Sequence, residues 1–66
     1  MVTEKDIKFG LHFHIGSGRG FVISEPIGGM VLYKYDSGHR MRHITDRVST
    51  FLSLVNCSEC KVVSTI

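Results

Sequence analysis

The sequence predicts an α+β domain: a small, strongly curled antiparallel sheet of three to five strands, with one amphipathic helix from the C-terminal half packed on it. Three observations carry this reading. Apolar and polar residues alternate with period two from Ile7 to Ile15, the signature of a half-buried strand. Glycine-rich breaks then separate short runs rich in β-branched and aromatic residues. From Thr45 the apolar spacing changes to three- and four-residue steps, which is helical.

In the first strand Ile7, Phe9, Leu11, Phe13 and Ile15 point one way, and Lys8, Gly10, His12 and His14 the other. Gly16-Ser17-Gly18-Arg19-Gly20 reads as a tight connection, because glycine accepts positive φ without penalty. Phe21 to Ser24 reads as a second strand, and Glu25-Pro26-Ile27-Gly28-Gly29 as a reversal. Met30 to Tyr35 is a third strand with Val31, Tyr33 and Tyr35 on one face. Asp36-Ser37-Gly38 is a turn signal, and His39 to Ile44 a short basic fourth strand.

The helix is expected from Thr45, whose hydroxyl suits an N-cap, with Asp46 complementing the helix dipole. Its apolar stripe is Val48, Phe51, Leu52 and Val55, and Asn56 is its stop. At roughly 10–12 residues such a helix is too short to stand alone, so it must lie on the sheet. Lys61 to Ile66 adds an edge strand. The pattern leaves open whether the sheet closes into a small barrel or stays open beneath the helix.

The chain of 66 residues holds one domain, spanning 1–66. Its core is expected to supply only about 3–5 kcal/mol, so a metal or a partner subunit, as in a homodimer, would reinforce it. A chain that is 42% hydrophobic and 21% charged is too apolar for disorder. A net charge of +2 falls short of a dedicated nucleic-acid arm. No apolar run reaches the ~18 residues that a membrane span needs. The mixed-charge start Met1-Val2-Thr3-Glu4-Lys5-Asp6 lacks a signal-peptide core, and two cysteines three positions apart make no secreted disulfide scaffold. A cytoplasmic protein without membrane contact is expected.

Two clusters carry candidate chemistry. Cys57 and Cys60 have the spacing that brings two thiolates to one ion, and His39 and His43 would complete a tetrahedral structural zinc site. His12 and His14 are a second imidazole pair. Opposing the zinc set, His39 and His43 on one strand would sit ~13 Å apart, too far for a single ion. The second cluster is basic: Arg19 in the glycine loop, Lys34, Arg40, Arg42 and Arg47, suited to phosphates. The competing reading is a solvated edge that blocks strand-to-strand aggregation. Gly16, Gly18 and Gly20 do not match a dinucleotide fingerprint and precede no helix. No nucleophile–base–orienter set can be placed from spacing, so a non-enzymatic binding role is expected.

The stretches Lys8-x-Gly10-x-x-Phe13, Gly20-Phe21-Val22-Ile23 and Gly29-x-Val31-x-Tyr33 resemble the pattern of small phage- and prophage-encoded accessory proteins with an SH3-like sheet. That resemblance implies a host-takeover or counter-defence protein, an inhibitor that occupies a host protein's surface. The expected functions are thus a protein-binding regulator of this kind, a nucleic-acid-binding module using a basic edge, or a zinc-stabilised adaptor.

Overall fold

The computed structural model describes residues 1–65. A 3₁₀ turn, Glu4–Asp6, precedes β1 (Leu11–Ile15), β2 (Gly18–Val22), β3 (Met30–Asp36), β4 (Met41–Arg47), α1 (Val48–Val55) and β5 (Cys60–Thr65). The strands form one sheet in the order β4-β3-β2-β1-β5, with antiparallel neighbours throughout. The first four strands are a meander. Helix α1 then carries the chain from one edge strand, β4, to the opposite edge, where β5 pairs with β1. The sheet is therefore open, with two free edges, and the strongly curled SH3-like form expected from the sequence is not what the strands build.

One face of the sheet meets α1. Leu11, Phe13, Val22, Val31 and Tyr33 on the strands, Phe51 and Val55 on the helix, and Ile7 before β1 form the buried core. The Phe51 ring lies 5.6 Å from Phe13 and 5.1 Å from Tyr33, and Phe13 lies 5.9 Å from Tyr33, all at steep angles. Such edge-on contacts set the positive ring edge against the negative face, adding to what burial contributes. The Tyr33 hydroxyl donates to Asp46 Oδ2 at 2.6 Å. Burial and that carboxylate, acting together, push the Tyr33 phenol well above its ordinary value.

Two glycines make room for this core. Gly20 sits opposite Phe13, and Gly18 lies across the sheet from Tyr35's end of β3. A Cβ on Gly20 would collide with the Phe13 ring, and one on Gly18 with the Tyr35 hydroxyl. Both glycines therefore belong to β2 rather than to the connection before it. Only Gly16 and Ser17 form that turn, and β2 ends at Val22, earlier than the expected strand.

Other expectations are corrected at the start of β1 and at the start of the helix. Phe9 is 70% exposed, not in the core. Gly10 adopts φ +98° in a turn closed by the Leu11 N–H donating to the Lys8 carbonyl at 3.1 Å, and this breaks the alternation between Ile7 and Leu11. Strand β4 runs to Arg47, so Thr45 and Asp46 are strand residues, and Arg47 takes the N-cap position without a side-chain capping bond. Asp46 is held there by Tyr33, a long-range bond that outweighs its local preference for a helix start. Asn56 does end the helix, and its side-chain amide also exchanges two hydrogen bonds with the Val2 backbone, at 2.8 and 2.9 Å, pinning the N-terminal segment. The expected strand 61–66 appears as β5, with Ile66 outside the described residues.

The turn before β3 is a two-residue hairpin loop. Gly28 and Gly29 take φ +59° and +77°, and Ile27 and Met30 exchange backbone hydrogen bonds of 2.9 and 3.0 Å. Gly29 also accepts from the Val48 N–H at 3.0 Å, which fixes the start of α1 against this loop.

Candidate functional site

Because α1 lies on one face, the other face of the sheet is left uncovered. Its side chains follow from period two and register. Across the middle run His43 on β4, Lys34 on β3, Phe21 on β2 and His12 on β1, each directly opposite the next. The adjacent row runs Met41, Asp36, Arg19, His14 and Lys61, the last on β5. Directly opposed Cβ atoms in such a ladder lie about 4.5–5.5 Å apart, so the two rows form a continuous surface. Arg47, opposite Met30, adds a further cation near one end.

The charge on this face is one-sided. Arg19, Lys34, Arg47 and Lys61 project from it, with His12, His14 and His43, against the single carboxylate of Asp36. The other carboxylates lie elsewhere. Glu4, Asp6 and Glu25 lie around the 3₁₀ turn together with Lys5 and Lys8, and there the Thr3 N–H and hydroxyl donate to Asp6 and hold its carboxyl below the usual range. The net charge of +2 thus arises on the open face, because the charges elsewhere nearly cancel.

An aromatic platform lies among the cations. The His12 and Phe21 rings stack with centroids 4.0 Å apart and planes 14° apart, and His14 meets His12 edge-on at 4.9 Å. Phe21 remains 42% exposed. Loss of hydration, helped by the positive charges of His14 and Arg19, lowers the His12 pKa from its ordinary 6.5. The Nε2 atoms of His12 and His14 are both buried and lack a hydrogen-bond partner among the described residues. Next to Phe21 runs a groove of about 390 Å³, lined also by Phe9, Ile23, Lys34 and Met41.

The residues singled out from the sequence divide between several places. Arg19, Lys34 and Arg47 share the open face. Arg42 lies opposite Tyr35 and so points to the helix side of edge strand β4, and Arg40 lies in the β3–β4 turn. The basic cluster is thus not one patch. The four-ligand zinc set is not assembled: His39 is in the β3–β4 turn and His43 on β4, while Cys57 and Cys60 flank the turn into β5. Those strands are the two opposite edges of the sheet, four strand spacings or on the order of 19 Å apart. Among the described residues no three His, Cys, Asp or Glu side chains converge as metal ligands. Both thiols are free, and burial, with the neighbouring Cys57 thiol, raises the Cys60 pKa.

Local sequence pattern marks neither Lys61 nor Phe21 as a site residue. Phe21 reads as part of an apolar strand, and Lys61 is remote in sequence. The signal that joins them is the period-two phase of each strand, which becomes useful only when the register is known.

No helix among the described residues is long and apolar enough to cross a membrane. No family model matches the chain, and neither curated proteins nor solved structures yield a match.

Proposed function

We propose that this protein is a non-enzymatic nucleic-acid-binding module that holds its ligand on the uncovered face of the sheet. The observation that supports this most is the coincidence on one face of a stacked His12–Phe21 pair, its Phe21 ring exposed, with four permanent cations and a single carboxylate. Cations neutralise phosphates and release their counterions, and aromatic rings stack on bases without regard to sequence. The free thiols of Cys57 and Cys60 suit a reducing compartment, in keeping with action in the cytoplasm.

Binding of a labelled single-stranded oligonucleotide at two salt concentrations tests the reading. Four phosphates neutralised by Arg19, Lys34, Arg47 and Lys61 would weaken binding roughly fifty-fold between 50 and 200 mM salt. Lys34→Glu should lower affinity and flatten that slope, while the fold, read by circular dichroism, stays intact. Affinity that ignores salt would overturn the reading.

A second reading keeps the protein-binding regulator of phage-accessory type. It draws on the large apolar side chains Phe9, Ile27 and Met41, each more than half exposed. A host protein would then occupy the face. Under that reading Met41→Lys should abolish capture of the partner, whereas Lys34→Glu should matter less.

A further inference from the structure

We propose that the groove beside Phe21 receives one unpaired nucleobase, so that the open face selects single strands over duplexes. The inference rests on the nucleic-acid reading above and specifies the form of ligand.

A phenyl ring has two faces. One face of Phe21 is taken by His12 on β1, at 4.0 Å and nearly parallel. Strands β1 and β3 flank β2 on opposite sides, so the second face is left for the groove, which reaches to Lys34 on β3 and Met41 on β4. Its volume of about 390 Å³ lies in the range of small-ligand pockets. Phe9, Ile23 and Met41 make the walls apolar, and Lys34 brings the one charge.

This combination fits a flat ring joined to an anion. The ring would stack on Phe21 and continue the stack already begun by His12, and the Lys34 ammonium would meet the adjoining phosphate. Arg19, two residues from Phe21 on the same face, would meet the next phosphate. In a duplex both faces of each base are already stacked on neighbours, so entry would require unpairing and unstacking. A second copy of this chain would bring the same cations against these, and like charges oppose that pairing. An acidic peptide offers the charge but no ring for Phe21.

The chain contains no tryptophan, so Phe21→Trp would install its only indole reporter. The probes are a twelve-nucleotide oligothymidylate, a duplex of equal length and polyglutamate of equal charge, all at low salt. The expected result is quenching by the single strand alone, with affinity at least tenfold above that for the duplex. Phe21→Ser and Phe21→Leu, which leave the core untouched, should each lose roughly tenfold or more in affinity for the single strand while keeping the salt slope. Unchanged affinity in both variants would overturn the base slot but leave the cationic face standing. Equal binding of duplex, or equal quenching by polyglutamate, would overturn it in the same way. Absence of salt-dependent binding to every polyanion would remove the cationic face and the slot together.

Discussion

The two faces of this sheet carry similar aromatic side chains in different circumstances. On the covered face Phe13 is fully buried, against Tyr33, Phe51 and the bare backbone of Gly20. On the open face Phe21, directly across from His12 and next along β2 to Phe13's partner Gly20, is nearly half exposed beside the Lys34 ammonium. Adjacent positions on one strand, Gly20 and Phe21, thus serve opposite ends: the first has no side chain so that a neighbour can fill the core, and the second has a large one with no core to fill. An apolar side chain on a strand contributes to folding according to what covers it. The covered ring is a matter of stability, and the uncovered ring is available for binding.

The sharpest way to break this contrast is truncation on each face. Phe13→Ala should cost about 3–5 kcal/mol, the usual range for a buried phenylalanine. That is comparable with the whole stability expected of a domain this small, so urea denaturation should find the variant largely unfolded. Phe21→Ser should lie within about 0.5 kcal/mol of the parent, as surface changes do. Similar losses for both would mean that the open face is covered in solution.

A second test adds atoms instead of removing them. Gly20→Ala places a methyl group into the Phe13 ring, which is fully buried and cannot swing away. Overpacking of this kind costs about 1–3 kcal/mol, and the denaturation midpoint should fall accordingly. A neutral result would show that the Phe13–Phe51 contact is slack.

The smallest expected effect is on pH dependence, and it belongs to the open face. The pKa of His12 lies below 6.5 in the folded chain, so the unfolded chain takes up the proton first as pH falls. The contribution of His12 is fully present above pH 6.5 and is lost as pH drops from there towards the lower folded value. Melting temperature should therefore decline on mild acidification, and His12→Gln should flatten that decline. A decline of the same steepness in the variant would assign it to other groups.

Local pattern alone was enough to mark several elements. The alternation of Leu11, Phe13 and Ile15, the phase of Val31, Tyr33 and Tyr35, the helical spacing of Phe51 and Val55, and the stop at Asn56 all rest on near neighbours in sequence. These features are short-range, and period and propensity report them directly. The misplacements have other causes. Phe9 leaves the core through a glycine turn, Gly18 and Gly20 are in β2 to admit Tyr35 and Phe13, and Asp46 remains in β4 because Tyr33 holds it. The glycine turn at Phe9 is local but not marked by period, whereas the glycines of β2 and Asp46 depend on residues from other strands.

The candidate site divides along the same line. Arg19, Lys34 and Arg47 stood out as basic residues, yet nothing in their spacing distinguished them from Arg40 and Arg42, which the fold sends elsewhere. By itself the sequence determined composition, strand and helix phase, and which residues are able to bear charge or stack. Tertiary structure decided which of them meet. Strand order put β5 beside β1, which brought Lys61 to the open face and separated Cys57 and Cys60 from His39 and His43 by the full width of the sheet. The physical reason is that alternation fixes the face of a side chain only within its own strand, whereas register and order, set by core packing across the whole sheet, decide which side chains from different strands become neighbours.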